Sequence, residues 1–257
     1  MQADTFGALA AFAYGLVVGS FLNVCVHRLP RGLSLVRPRS HCPACGAPVR
    51  WYDNIPLLSY LLLRGRCRSC QARISLQYPL IELLTAVLFV LAYRRAGLSL
   101  TLLADLFLLC ALITLAFIDL HHQILPNRIT YPGTALGLLF AAILPGRSFW
   151  AALFGAAVGF AVLFLFAEVY FRLRGVEGMG MGDAKMMALL GAFLGWQGAA
   201  LALLIASLAG TAVGLGLLAA RRGSLQSALP FGTFLAFGGI VAALWGARLI
   251  LWYWSIL

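Results

Sequence analysis

Two aspartates stand where carboxylates are costly to keep. Asp183 follows the alternating run Gly178-Met179-Gly180-Met181-Gly182, two residues before Lys185, at the foot of a long apolar segment. Glycine has no Cβ, so Gly180 and Gly182 would let another main chain, such as that of a peptide substrate, come close to the carboxylate. Asp119 closes a second apolar run, Leu106 to Ile118, just ahead of His121, His122, Pro126 and Asn127. A charged group at a membrane border marks a functional site, and two at one depth can share a proton. One then acts as base on a water while the other protonates or polarises a scissile carbonyl. That is aspartic protease chemistry. Simpler readings stand beside it: Asp183 as a helix N-cap, and Asp119 as a hydrated carboxylate at the membrane edge. Glu82, Asp105 and Glu168 also lie in or near apolar runs but lack the glycine setting, and read as interhelical hydrogen-bond partners. His121 and His122 make a weak ligand set with Asp119 and read as interface residues.

A second constellation is Cys42-Pro43-Ala44-Cys45 and Cys67-Arg68-Ser69-Cys70, two CxxC pairs separated by 21 residues. Four thiolates at this spacing suit a tetrahedral structural zinc site, each pair supplying two neighbouring ligands. Two disulfides are the alternative, disfavoured if the segment faces a reducing cytosol. With all four positions filled by protein, the metal would shape the loop and do no chemistry. His41 reads as a solvated neighbour, and Cys25 and Cys110, alone in apolar runs, as ordinary buried thiols.

The elements that must position these groups are membrane helices. At 257 residues, 62% hydrophobic and 11% charged, the chain is too apolar for a soluble domain of this length. Runs of about 20 apolar residues, long enough to span, fall at roughly 6–26, 78–93, 98–118, 129–145, 149–171 and 231–254. The stretch 184–220 would be about 55 Å long as one helix, and Gly195-Trp196-Gln197-Gly198 offers a turn in its middle. Read as two helices, the first short, it brings the total to about eight. The first run is preceded by Asp4 and by no basic residue, and reads as a retained helix, not a cleaved signal.

Loop charge sets the orientation. Residues 27–75 carry nine arginines and one acid, Asp53, which places them in the cytosol. With eight crossings Arg128, Arg172, Arg174, Lys185, Arg221 and Arg222 fall on the same side, against Arg94, Arg95 and Arg147 outside. The net charge of +11 is thus a feature of a cytosolic membrane face, and no nucleic-acid partner is implied. Asp119 and Asp183 both fall at that cytosolic edge. The expected architecture is an all-α polytopic helical bundle: a first transmembrane helix (1–26), a cytosolic zinc-binding loop (27–77) and a membrane-embedded core (78–257). Small-residue patches such as Gly155-Ala156-Ala157-Val158-Gly159 would let its helices pack closely.

Further motifs run through nearly the whole chain. They are Gly19-Ser20-Phe21-Leu22-Asn23-Val24 before Arg28-Leu29-Pro30, Asn54-Ile55-Pro56-Leu57, Tyr78-Pro79-Leu80-Ile81-Glu82, Ile118-Asp119 with Leu125-Pro126-Asn127, Glu177 to Lys185, and Pro230-Phe231-Gly232. Together with the cysteine loop they resemble the bacterial type IV prepilin peptidases. The glycine-aspartate element is shared with presenilin-like intramembrane proteases, but the other motifs are not. The resemblance implies that Asp119 and Asp183 are the catalytic pair and that Cys42, Cys45, Cys67 and Cys70 hold zinc. It implies cleavage of a short basic leader after a glycine, on prepilins or pseudopilins of pilus and type II secretion systems, at the cytosolic face of the bacterial inner membrane. Methylation of the new N-terminal residue, with S-adenosylmethionine as donor, would follow. The competing functions are a protease that does not methylate, and a non-enzymatic membrane assembly factor or transporter. Two positions depart from the family pattern: His121, where many members carry an acid, and Thr233, where many have proline.

Overall fold

The computed structural model describes residues 5–175, 180–220 and 229–256. Glu177, Gly178 and Met179 of the glycine run and the paired Arg221 and Arg222 lie outside them. Every long element is helical: α1 (Thr5–Arg28), α2 (Leu58–Leu62), α3 (Gln77–Ala96), α4 (Leu100–His122), α5 (Asn127–Ile143), α6 (Phe149–Arg174), α7 (Met181–Ala219) and α8 (Phe231–Ile256). Five of these, α1, α4, α6, α7 and α8, are long and apolar enough to cross a membrane. Large apolar side chains such as Phe6, Leu61, Trp150, Leu173 and Leu251 are exposed, whereas Asp105, Thr114 and Thr130 are buried. That inverts the pattern of a water-soluble bundle and suits a lipid surround, where small and polar residues hold the helices together.

The chain divides into two compact units, residues 1–102 and 103–257. In the first, α1 and α3 pack along each other through glycines. A Cβ on Gly19 would lie 2.7 Å from the Glu82 Cα, and one on Gly15 would strike the backbone of Ala86, so only glycine allows this approach. Asn23 of α1 donates to the Tyr78 carbonyl at 3.1 Å. The buried Glu82 carboxylate takes the Leu57 N–H at 2.8 Å and a bond from Ser20. It joins α1, α3 and the loop between them, as expected of an interhelical partner. Leu57 sits at φ 58°, ψ −49°, and the Leu58 N–H returns to the Pro56 carbonyl. This is a γ-turn, which is strained for leucine, and Glu82 holds it closed.

In the second unit α7 is broken where the sequence offers a turn: Gly195 has φ 70°, ψ 176° inside an otherwise helical run. The contacts show what the break does. Gly182 and Gly232 both lie against Leu125, and Gly239 lies against Leu190, so the first arm of α7 runs alongside α8 in the same direction. Beyond Gly195 the order reverses, with Leu201 by Gly246, Ala206 by Gly238, Gly210 by Phe234 and Gly214 by Leu229. The two arms form a hairpin. The first, some 20 Å long at helical rise, is shorter than the ~30 Å hydrocarbon layer. Its end is satisfied by Arg147, which donates to the Phe193 carbonyl at 2.8 Å, a group left without a helical partner by the break. Leu112, Leu115, Met186, Leu189, Leu190 and Leu235 form the buried core. Glu168 departs from expectation: it is half-exposed, and its ion-pair partner among the described residues is Arg172, one turn along the same helix at 2.7 Å.

Candidate active site and metal centre

The last turns of α4, the start of α7 and the start of α8 meet in the second unit. Asp119 is buried on the last full turn of α4, and Asp183 is buried in the first turn of α7. Both line one cleft of about 270 Å³ together with Gln123, Ile124, Leu125, Gly180, Gly182 and Lys185. The Asp119 charge reaches the Asp183 carboxyl. Asp183 is not the N-cap: Gly180 takes that position, and the Asp183 carboxylate turns back to the Gly180 N–H. Gly180 has φ −76°, ψ 143°, open to any residue, so its value here is space. A Cβ on it would stand 3.8 Å from Asp183 Oδ2, at ordinary contact distance. Gly182 has no such freedom, since a Cβ there would press against Leu125 at 3.0 Å.

Asp119 is gripped by an element that the sequence motifs mark without explaining. The Thr233 N–H donates to Asp119 Oδ2 at 2.7 Å, and the Thr233 hydroxyl lies 3.2 Å from the same oxygen. Gly232 makes the approach possible, because a Cβ there would stand 3.0 Å from the carboxyl. Each aspartate therefore sits in the first turn of a helix, its own or a neighbour's, where free N–H groups and the helix dipole favour negative charge. Lys185 is held by Asn127 Oδ1 at 3.0 Å and rests over the Tyr131 ring. That accounts for Asn127 in the motif. His121 is exposed and bonded to the Phe117 carbonyl.

In the first unit the four cysteine sulfurs converge, all within 4.8 Å of one another, and all four are free thiols. Cys42 Sγ and Cys70 Sγ are 3.8 Å apart, the edge of a sulfur tetrahedron about a zinc ion at ~2.3 Å per bond. The donor set fits a metal ion. Two knuckles of the same design carry it. In each, the first cysteine N–H bonds a carbonyl five residues on, at Ala47 or Ala72, and its carbonyl takes the N–H four residues on, from Gly46 or Gln71. Both of those fourth residues have positive φ, 72° at Gly46 and 59° at Gln71. Knuckle amides aim at sulfur: the N–H groups of Cys70 and Ser69 hold the Cys67 thiol down at about 7, close to the thiolate a metal needs. Asp53 takes a forked bond from Arg68 at 2.7 to 3.1 Å, which keeps its carboxyl below the ordinary range. His41 turns to the Arg39 carbonyl and stays exposed, outside the cysteine cluster.

Comparison with known proteins decides the family. Residues 13–96 match the Bacterial Peptidase A24 N-terminal domain, and residues 106–215 match the Type IV leader peptidase family. A prepilin leader peptidase/N-methyltransferase of Aeromonas hydrophila is 42% identical over 94% of this chain and 92% of its own. The chain belongs to the type IV leader peptidase family. Other members with the same description are 48% identical in Myxococcus xanthus, over 82% of this chain and 64% of the relative, and 37% identical in Legionella pneumophila, over 96% and 94%. No solved structure matches the chain. Within this leader peptidase, the Asp119–Asp183 cleft falls in the segment matched by the peptidase family, and the cysteine cluster in the segment matched by the N-terminal domain.

Proposed function

We propose that the chain is an intramembrane aspartic endopeptidase that removes the short basic leader of type IV prepilins or pseudopilins after a glycine, with Asp119 and Asp183 as its catalytic pair. The observation that carries this is the cleft itself: two buried carboxyls from α4 and α7 open on one space beside Gly180. A water between them loses its proton to one carboxyl as its oxygen attacks the scissile carbonyl carbon. The other carboxyl hydrogen-bonds the carbonyl oxygen, and a proton then passes to the departing amine as the C–N bond breaks. Gly180 leaves room for the substrate main chain, and Leu125 with Gly182 forms the wall beside it. Lys185 also lines the cleft and is tied to Asn127 Oδ1 at 3.0 Å.

The four cysteines would hold zinc as a structural ion in the loop 27–77, between a first helix (1–26) and a membrane-embedded remainder (78–257) that takes in α3 of the first unit as well as the aspartate cleft of the second. The nine arginines of residues 27–75 favour a bacterial inner-membrane protein with that loop in the cytosol. The relatives' printed description adds N-methylation of the new N-terminus, for which S-adenosylmethionine would be the donor.

The test is incubation of the purified protein in lipid with a synthetic prepilin segment, a basic leader ending in glycine followed by phenylalanine and an apolar stretch, plus S-adenosylmethionine. Mass spectrometry should find a cut after the glycine, and a product heavier by one methyl group. A cut without the methyl leaves a protease alone. An intact segment with folded, metal-loaded protein, over a panel of such leaders, would sink the peptidase reading.

A further inference from the structure

One carboxyl of an aspartic pair takes up a proton and gives it back within each turnover, and the surroundings of Asp119 bear on whether it can do so without moving. Its Oδ2 receives the Thr233 N–H at 2.7 Å. The Thr233 hydroxyl stands between two acceptors, Asp119 Oδ2 at 3.2 Å and the Ala116 carbonyl oxygen at 3.1 Å. A hydroxyl has one proton to give and two lone pairs to receive with. Beside ionised Asp119 it can donate to Oδ2. Beside the protonated acid, whose proton from the water sits on Oδ1, Oδ2 is still an acceptor, and the hydroxyl can keep its bond to Oδ2 or turn its proton to the Ala116 carbonyl.

We propose that Thr233 is a positioning residue that holds Oδ2 of Asp119 in one place through both protonation states, leaving Oδ1 to meet the water and the scissile peptide. The proposal rests on the reading of Asp119 and Asp183 as the catalytic pair. The geometry supports it from three sides. Ala116 and Asp119 are fixed on one helix, Thr233 is fixed in the first turn of another, and the missing Cβ of Gly232 lets the two approach. The other ionisable or amide groups along the cleft are Asp183, Lys185 and Gln123; Lys185 is bonded to Asn127, and Thr233 brings a neutral hydroxyl to Asp119 Oδ2.

The experiment compares Thr233→Val, which keeps the N–H and the shape but loses the hydroxyl, with Thr233→Ser, which keeps both donors. The full-length protein in lipid is assayed with the synthetic prepilin segment. A hydrogen bond to a charged group is worth a factor of about ten or more. Thr233→Val is expected to lower kcat by that factor with KM unchanged, and Thr233→Ser to restore it. A second readout needs no turnover: in infrared spectra of acidified protein, the carboxyl band that disappears in Asp119→Asn should be displaced in Thr233→Val and not in Thr233→Ser. Wild-type kcat in Thr233→Val, a change in KM instead of kcat, a serine variant as slow as the valine, or an unmoved infrared band would each overturn the proposal. An active Asp119→Asn would instead sink the catalytic pair. An inactive Asp119→Asn beside a fully active Thr233→Val would sink the role of Thr233 alone.

Discussion

Asp119, on the last full turn of α4, and Asp183, in the first turn of α7, open onto the same cleft. Neither is an ordinary helix cap, and both are buried. If they work as a pair, each asparagine substitution removes a proton carrier while keeping size and shape. Asp119→Asn and Asp183→Asn should each lower cleavage of a prepilin segment by about a thousandfold or more. The thermal midpoint in lipid should stay at the wild-type value, and the cysteine loop should keep its metal. Near-normal turnover in either variant would remove that aspartate from the chemistry.

Loss of one sulfur ligand should empty the metal site. Cys42→Ser or Cys67→Ser should lower the bound metal, measured by elemental analysis, from one ion per chain to a small fraction. Because thiolates bind metal and thiols do not, and backbone N–H groups hold the Cys67 thiol below its ordinary range, capture of zinc by stripped wild-type protein should weaken as pH falls. Capture that does not change between pH 8 and pH 6 would argue against this thiol as a ligand.

The matching knuckles carry unequal residues at their fourth position. Gly46 takes its φ of 72° without penalty, but Gln71 at φ 59° bears a side chain in the left-handed region, at a cost of roughly 1 kcal/mol. Gln71→Gly should therefore make the loop harder to strip, with metal release needing more chelator and proceeding more slowly. Faster release would mean that the Gln71 side chain makes a contact worth more than the strain.

How far these features could be read in advance depended on range. Apolar runs reveal helices by length, although α3 and α5, which fill the runs at 78–93 and 129–145, are not among the five long and apolar enough to cross a membrane. Gly195-Trp196-Gln197-Gly198 reveals the reversal because glycine can leave the helix within one residue. The cysteine cluster is legible because CxxC spacing sets ligand geometry locally. Thr233 was visible only as a departure from a family pattern, since its bond to Asp119 joins residues 114 apart and no local rule connects them. Inside the loop, α2 and the 3-10 turn Trp51–Asn54 are too short to show a period. Glu168 was expected to bridge helices, but a single turn of helix brings Arg172 within reach, and the nearer partner won.

Glycines that look alike in sequence should respond in opposite ways. A Cβ on Gly191 would collide with the backbone of Gly155 and Ala156, whereas one on Gly216 meets nothing within 4 Å among the described residues. Gly191→Ala should destabilise the protein by several kcal/mol, roughly what overpacking against an unyielding backbone costs. Gly216→Ala should be neutral, or stabilising by up to about 1 kcal/mol through helix propensity. Thermal midpoints in one detergent would check both, and equal midpoints would contradict the close approach of α6 and α7.

That approach also fixes where the protein can give. Where Gly155 faces Gly191 and Gly159 faces Met187, main chain lies directly on main chain, with no side chains between to change rotamer and take up slack. Such a joint has no compliance: it is either seated or parted. If a substrate helix enters between helices to reach Asp183, its hinge should lie elsewhere, on faces where side chains can slide, with the seam between α6 and the first arm of α7 kept shut.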